Sequence, residues 1–182
     1  MPHYILTGAP GSGKTAILRR LELDGHPVVE EAATDVIALQ HALDHPEPWR
    51  DPGFADRIVR LQRRRQLAAD ACHRGAVFFD RSPVCTLALS RHLGREPSRA
   101  VREEVDRVVA GQIYDRSVLF VDNLGFVEPT AARRITFEDS LAFEALHEAT
   151  YLELGFTLVR IPPAPLPARV ALVERAVTQP RP

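Results

Sequence analysis

The chain has 182 residues, of which 45% are hydrophobic and 26% are charged, proportions typical of one globular domain with a sizeable core. Its 23 basic and 24 acidic residues leave a net charge of −1, so no global attraction to nucleic acid or to an anionic membrane is expected. Two cysteines exclude a cysteine-rich metal site and a disulfide framework, and we expect Cys72 and Cys85 to be small buried residues. The sequence has no apolar run of membrane-spanning or signal-peptide length, which predicts a cytoplasmic location.

Short apolar runs alternate with segments of helical periodicity along the whole chain. Strands are predicted at residues 4–7, 28–30, 77–80, 118–122 and 157–161, and helices at about 14–24, 32–44, 54–74, 83–93, 98–110, 139–154 and 166–177. This alternation predicts right-handed crossovers and a mainly parallel sheet in an α/β fold. Residues 1–178 are predicted to form one domain, with proline-rich turns at 46–52 and 162–167 and a frayed tail at 179–182.

A glycine-rich segment, GAPGSGKT at residues 8–15, directly follows the first predicted strand. It fits G-x-x-x-x-G-K-[ST] at every fixed position and precedes an amphipathic helix, as in a phosphate-binding loop. Glycines let backbone N–H groups point inward at phosphate oxygens, and a helix N-terminus favours an anion. Lys14 is expected to reach the β- and γ-phosphates, and the Thr15 hydroxyl to coordinate Mg²⁺. We therefore predict that ATP and Mg²⁺ bind at Gly8, Ala9, Pro10, Gly11, Ser12, Gly13, Lys14, Thr15 and Ala16.

Asp80 ends the third predicted strand, where a Walker B aspartate is expected. Its carboxylate is suited to holding Mg²⁺ directly or through water, because hard cations prefer oxygen ligands. It is also a candidate cap for the helix that begins at Pro83, and the two roles are compatible. Arg81 follows and points either into the cleft, where it would neutralise transferring phosphate, or sideways into solvent.

Glu30 and Glu31 follow the second predicted strand, and Asp35 lies one helical turn further on. Strand alternation sends neighbouring side chains to opposite faces, so only one of the two glutamates is expected in the cleft. A carboxylate there can accept a proton from a substrate hydroxyl. Acids near a helix N-terminus also occur for electrostatic reasons alone, and spacing does not decide between these readings.

The long third helix carries an apolar stripe in which a charged residue is embedded. The stripe is predicted to consist of Phe54, Ile58, Leu61, Ala68 and Cys72. Arg65 falls on this stripe, whereas Arg63 and Arg64 fall outside it and are expected in solvent. A cation on a buried stripe needs a ligand or a carboxylate partner, unless its stem packs while its head reaches water.

Residues 124–138 form a largely polar stretch after the fourth predicted strand and contain Arg133 and Arg134. Small kinases need a mobile lid that brings arginine onto the γ-phosphate and excludes water. The segment is therefore a predicted lid, the alternative being an ordinary loop with exposed arginines.

Taken together, these motifs resemble the NadR-like AAA domain family of small P-loop proteins, which includes ribosylnicotinamide kinases. The resemblance covers the chain from about residue 5 to 177 and rests on GAPGSGKT, PVVEEAATDVI, FFDRSPVCTLALSRHLG, LFVDNLGFVEPTAARRITFED and LELGFTLVRIPP. It implies an adenylate-kinase-like αβα sandwich with a five-stranded parallel sheet in the order 2-3-1-4-5. The chain differs from the ribosylnicotinamide kinases at Thr34 and at Arg81-Ser82, so the resemblance does not name the acceptor.

The resemblance also implies roles for individual residues. Glu31 matches the acceptor-side carboxylate, and Asp80 with Arg81 matches an acid–arginine pair. Arg133 and Arg134 match lid arginines, and Pro163, Ala164 and Pro165 match a loop that lies along adenine.

Two functions from different classes follow from these observations. The first is an ATP-dependent kinase that phosphorylates a hydroxyl of a nucleoside-like or sugar-like acceptor, with a pocket formed by residues 41–66 and 81–100. The catalytic residues would be Lys14, Glu31, Asp80, Arg81, Arg133 and Arg134. The second is a nucleotide-switched ATPase or ATP-binding regulatory module that acts on a protein partner. Both readings exclude a membrane and disfavour nucleic acid as a partner.

Overall fold

The computed structural model describes residues 2–73, 75–125 and 137–178. The strands are β1 (His3–Thr7), β2 (Val28–Val29), β3 (Val77–Asp80), β4 (Ser117–Val121) and β5 (Thr157–Ile161). The helices are α1 (Lys14–Leu23), α2 (Ala32–Ala42), α3 (Phe54–Cys72), α4 (Pro83–His92), α5 (Arg99–Ala110), α6 (Phe137–Glu153) and α7 (Leu166–Thr178), with a short 3₁₀ helix at Pro48–Arg50. The strands and α-helices are those predicted from periodicity, and the 3₁₀ helix replaces part of the proline-rich turn.

The five strands form one sheet in the order β2-β3-β1-β4-β5, and every neighbouring pair is parallel. This confirms the predicted order. From β1 the chain continues toward β2 and β3, whereas from β4 it continues toward β5 on the opposite side. The carboxyl ends of β1 and β4 therefore flank a topological switch point, where ligands of open α/β sheets bind.

Both faces of the sheet are covered, because alternate side chains of each apolar strand point to opposite sides. On one face, Tyr4, Leu6, Phe78, Leu119, Val121 and Ile161 pack against Ile17, Leu18 and Leu21 of α1 and Val170 and Val173 of α7. On the other face, Ile5, Val77, Phe79 and Val118 pack against Ala69, Val84, Cys85, Val108 and Tyr151 of helices α3 to α6. Each fully buried large side chain contributes about 1.5–3 kcal/mol, and this core fixes the strand ends that carry the site.

The predicted stripe on α3 is correct in the first half of the helix and wrong in the second. Phe54 and Ile58 are buried, but Ala68 and Cys72 are exposed, and Gln66 and Ala69 are buried instead. The first half of α3 packs against α2, whereas Gln66 accepts a 2.8 Å hydrogen bond from Arg107 on α5. A change of packing partner along a long helix shifts the buried face. Of the two cysteines only Cys85 is buried, so the prediction for Cys72 is wrong.

The edge strand β2 ends one residue earlier than predicted. The backbone carbonyl of Glu30 accepts a 2.9 Å hydrogen bond from Arg65 Nη1, so a side chain takes the place of a further strand pairing. This bond ties the end of β2 to α3. Among the described residues, no helix has both the length and the apolar character that a bilayer crossing requires.

Candidate functional site

The loop between β1 and α1 adopts a conformation that depends on two of its glycines. Gly8 has a φ of 139°, and a Cβ atom there would lie 2.2 Å from the carbonyl oxygen of Val121. Gly13 has a φ of 82° and caps α1. Side chains at these positions would clash or strain the backbone. The sequence therefore folds here into a tight loop that leads into a helix N-terminus, the arrangement that binds phosphate.

Lys14 lies inside this loop, and its side chain is almost completely buried. Its ammonium donates hydrogen bonds to the carbonyl oxygens of Gly8 and Ala9, at 3.0 and 2.8 Å, and to Ser12 Oγ at 3.3 Å. Burial, followed by the neighbouring Arg81, lowers the pKa of Lys14 to about 7, although Asp80 and Glu31 oppose the shift. Among the 23 lysine and arginine residues of the chain, Lys14 is the only lysine.

Arg81 points into the cleft and not into solvent. Its backbone has a φ of 72°, a conformation that costs a non-glycine residue about 1–3 kcal/mol. Its backbone N–H donates to the Leu6 carbonyl at 3.1 Å, which holds this turn against β1. The α4 helix is capped by Ser82, whose Oγ accepts from the Val84 N–H at 3.2 Å. Asp80 is therefore not the helix cap, and one of the two roles considered for it is removed.

Glu31 and Glu30 have different partners, although neither lies in β2, which ends at Val29, so strand alternation does not apply to them. The Glu31 carboxylate lies 2.5 Å from Arg81 Nε and accepts a 2.7 Å hydrogen bond from the Thr34 hydroxyl. Glu30 is exposed and pairs with Arg19 at 2.9 Å. Burial alone would raise the pKa of Glu31, but Arg81, Lys14 and the Thr34 hydroxyl together lower it. Glu31 is thus an ionised carboxylate that lies in the same charged cluster as Lys14.

Asp80 ends β3, beside Leu6 of β1, and its carboxylate favours the charged forms of Lys14 and Arg81. Thr15 is exposed in the first turn of α1. These oxygen donors fit Mg²⁺, which binds through one or two protein oxygens together with phosphates and water. Among the described residues, no group of three or more histidine, cysteine or acidic side chains could hold a metal ion by itself.

Arg65 has the carboxylate partner that its position on α3 required. Its guanidinium pairs with Asp35 and also donates to the Glu30 carbonyl. Arg63 and Arg64 are exposed, as predicted, and Arg63 makes a 3.7 Å contact with Glu104. Arg65 therefore holds α2 and the end of β2 in place, beneath the segment that presents Glu31.

The loop after β5 leads into α7, and the Pro165 carbonyl accepts from the backbone N–H groups of Ala168 and Arg169. Pro163 and Pro165 are exposed and Ala164 is half-buried, so this loop is accessible. Its assignment to adenine stays a prediction. Arg133 and Arg134 lie outside the described residues, and so does most of the predicted lid.

Arg169 is a site residue that sequence reasoning missed. Its side chain is only 4% exposed, and its Nη2 donates a 2.6 Å hydrogen bond to the Ser12 carbonyl. A Cβ at Gly13 would lie 2.7 Å from Arg169 Nη1, so the guanidinium packs directly on the phosphate loop. In the sequence it stands beside apolar residues of α7, and nothing in the pattern distinguishes it from other helical arginines.

Comparisons with known proteins agree with this fold. A family model described as an AAA domain matches residues 3–169, and the chain belongs to this family. A structure of deoxyadenosine kinase from M. mycoides with the products dCMP and dCDP is similar to this chain, with a TM-score of 0.64 and 12% identity over 96% of this chain and 98% of that one. A structure of the same enzyme with dATP gives a TM-score of 0.53 and 10% identity over 97% and 100% of the two chains. These likenesses show a shared P-loop NTPase fold, and no curated protein sequence matches significantly.

Proposed function

We propose that this AAA-domain protein is an ATP-dependent kinase that transfers the γ-phosphate to a hydroxyl of a nucleoside-like or sugar-like acceptor. The observation that carries the proposal is the pairing of Glu31 with Arg81 beside the Lys14 loop. A phosphate-binding loop alone fits any ATPase. A half-buried carboxylate that a guanidinium fixes close to that loop is suited to orient a substrate hydroxyl for phosphoryl transfer.

On the ATP side, the backbone N–H groups of residues 8–16 would bind the phosphates, and Lys14 would move from loop carbonyls to phosphate oxygens. Phosphoryl transfer depends mainly on positioning and charge neutralisation. Arg81 is suited to neutralise charge on the transferring group, because its guanidinium lies in the cleft and stays charged. Burial opposes the charged form, but Glu31 outweighs it together with Cys85 and Asp80, and the pKa of Arg81 is raised. Thr15 and Asp80 would hold Mg²⁺, which supplies charge neutralisation to the phosphates.

On the acceptor side, Glu31 would accept a hydrogen bond from the attacking hydroxyl. The hydroxyl oxygen forms a bond to the γ-phosphorus, the bond from that phosphorus to the β–γ bridging oxygen breaks, and ADP leaves. The hydroxyl proton passes to Glu31. Because the pKa of Glu31 is lowered, its main contribution is to orient the hydroxyl, and the proton moves late, as a loose transition state allows.

The proposal is tested by measuring ADP release from ATP and Mg²⁺ with a panel of nucleosides, sugars and sugar-like antibiotics. We expect ADP release to rise well above its basal rate with at least one acceptor, and mass spectrometry to find that acceptor heavier by one phosphate. ADP release that rises only with a protein partner would contradict the kinase and support the nucleotide-switched ATPase.

The contact between Arg169 and the phosphate loop gives a separate prediction. Replacing Arg169 with methionine removes the charged donor to the Ser12 carbonyl, and such bonds contribute about 1.5–3 kcal/mol. We expect ATP affinity to fall by about tenfold or more, as measured by calorimetry. Arg175→Met is the matched control, because Arg175 lies on the same helix and its side chain donates to the carbonyl of Ala171, a contact within the helix. Equal ATP affinity in the two variants would show that Arg169 does not shape the loop.

A further inference from the structure

His147 of α6 is a fully buried histidine that touches the charged cluster and has no role in the transfer steps above. Its Nε2 lies 3.3 Å from Arg81 Nη1, and its Nδ1 lies 3.0 Å from the backbone carbonyl oxygen of Phe143. The Phe143 ring packs edge-on against the imidazole, with ring centroids 4.1 Å apart. Both ring nitrogens therefore have a partner, and the ring plane is fixed.

The chemistry of these partners determines the tautomer of His147. A guanidinium has only donors, so Nε2 must accept from Arg81. A backbone carbonyl only accepts, so Nδ1 must carry the proton. Both bonds form together only in the neutral imidazole with hydrogen on Nδ1. A second proton on Nε2 would remove the acceptor and place a cation against Arg81.

The charges around His147 favour the same neutral state. The groups that face it are Arg81 from the β3–α4 turn, Lys14 from the phosphate loop and His92 from α4. Glu31 lies on the other side of Arg81. Burial first, and then the Arg81 charge, hold the pKa of His147 well below its usual value.

We propose that His147 is a positioning residue that, as its Nδ1–H tautomer, holds the Arg81 guanidinium against Glu31. Arg81 leaves β3 with a positive φ, and its head is held at two points, Nε by Glu31 and Nη1 by His147. Glu31 alone would leave the guanidinium free to turn about its Nε. With His147 as a second acceptor, the remaining N–H groups of the Arg81 guanidinium keep one direction. The effect that we expect on phosphoryl transfer rests on the proposed function, whereas the contact between His147 and Arg81 does not.

The geometry is tested by NMR on the protein labelled with ¹⁵N-histidine and ¹⁵N-arginine, with no ligand present. The His147 ring signals, assigned by their loss in His147→Gln, should show a proton on Nδ1 and none on Nε2 from pH 7 down to about 5.5, below the usual histidine pKa of about 6.5. The Arg81 Nη1–H signal should be shifted and slow to exchange in the parent and in His147→Gln, whose amide oxygen can accept from Nη1. It should lose both properties in His147→Leu. A proton on Nε2, or an unchanged Arg81 signal in His147→Leu, would overturn the proposal.

The effect on catalysis is tested by comparing three variants of α6. His147→Leu should lower kcat for phosphoryl transfer by about tenfold or more, because displacing a positioned group by about 1 Å can cost about 100-fold, while the KM for ATP stays within about threefold. His147→Gln should keep most of the rate. Thr150→Val is the control, since Thr150 is equally buried and accepts at 3.2 Å from a different arginine, Arg91.

The two kinds of failure are distinguishable. If His147→Leu and Thr150→Val lose similar melting temperature and both keep the parent kcat, His147 only stabilises the fold and the proposal is overturned. If no acceptor in the panel is phosphorylated, the proposed function fails. The two NMR measurements then still decide whether His147 holds Arg81.

Discussion

Replacing Lys14 with methionine should weaken ATP binding by about 100-fold, because charged hydrogen bonds of this kind contribute about 1.5–3 kcal/mol each. The protein should stay folded, since α1 is anchored by Ile17, Leu18 and Leu21, and the hydrogen bonds of the Lys14 ammonium lie within its own loop. Calorimetry with a non-hydrolysable ATP analogue and Mg²⁺ measures the affinity. Arg20→Met is the control, because Arg20 is an exposed cation of the same helix that pairs with Asp24.

Retaining the charge should not restore binding, so Lys14→Arg is the sharper variant. The three acceptors of Lys14 surround a single nitrogen inside a tight loop, and a planar guanidinium does not fit such a nest. We expect Lys14→Arg to bind the analogue as poorly as Lys14→Met. Affinity equal to that of the parent in Lys14→Met would contradict the phosphate-loop assignment and with it the proposed function.

The pH dependence of binding follows from the same residue. In the free protein Lys14 loses its proton as the pH rises through about 7, whereas bound phosphates favour its charged form. Binding at pH 8 to 9 should therefore take up close to one proton, and the affinity should fall by up to about tenfold per pH unit above pH 7. Because Lys14 is the only lysine, ¹⁵N-lysine labelling gives a single side-chain signal. The pH midpoint of the Lys14 titration, followed by this signal, should rise when the analogue binds.

Glu31→Gln should lower the rate of phosphoryl transfer by about 10²- to 10⁴-fold, because it removes the carboxylate that orients the attacking hydroxyl and takes its proton late in the transfer. Its ATP affinity should change little, since Glu31 contacts Arg81 and Thr34 and not the loop backbone. The glutamine retains an acceptor for the Thr34 hydroxyl but removes the charge that holds Arg81. Single-turnover transfer and basal ATP hydrolysis are both measured, with an acceptor identified by the panel.

Glu30→Gln is the matched control for this prediction. Glu30 is the neighbouring residue of the same type, but it is exposed and pairs with Arg19 on the outside of the sheet, so its loss should cost far less. If Glu31→Gln transferred phosphate as fast as the parent, Glu31 would lose its catalytic assignment and Asp80 or Asp35 would take it. A fall in basal hydrolysis alone would support the nucleotide-switched ATPase.

The elements that the sequence predicted well are those whose patterns are local. The phosphate loop is a contiguous motif, and the strands are short apolar runs between helical segments. The sequence therefore predicts the order of strands and helices along the chain. The choice of Glu31 over Glu30 came from the family resemblance, because spacing did not decide between them. The strand order itself came from the family resemblance, because nothing local determines which parallel strands become neighbours.

The residues that could not be predicted act across long separations. Arg169 contacts Ser12, and His147 contacts Arg81. Arg169 and His147 are single polar residues on their helices, and the apolar periodicity of a helix indicates only which face packs against the core. The α3 stripe was wrong at Ala68 and Cys72 because that helix changes partner from α2 to α5 along its length. Ser82, not Asp80, caps α4, because the chain turns at Arg81, whose φ is 72°, before the helix begins.

The bond between Arg169 and Ser12 has a consequence for how the protein is made. It joins residues 157 positions apart, so the loop that stands near the start of the chain acquires its last support only after α7 has left the ribosome. Domains fold as synthesis proceeds, at about 5–20 residues per second. Until α7 has been made, a nascent chain that already exposes GAPGSGKT therefore lacks the Arg169 contact to its phosphate loop. ATP in the cell would then meet a fully braced loop only on chains that have been extended through α7.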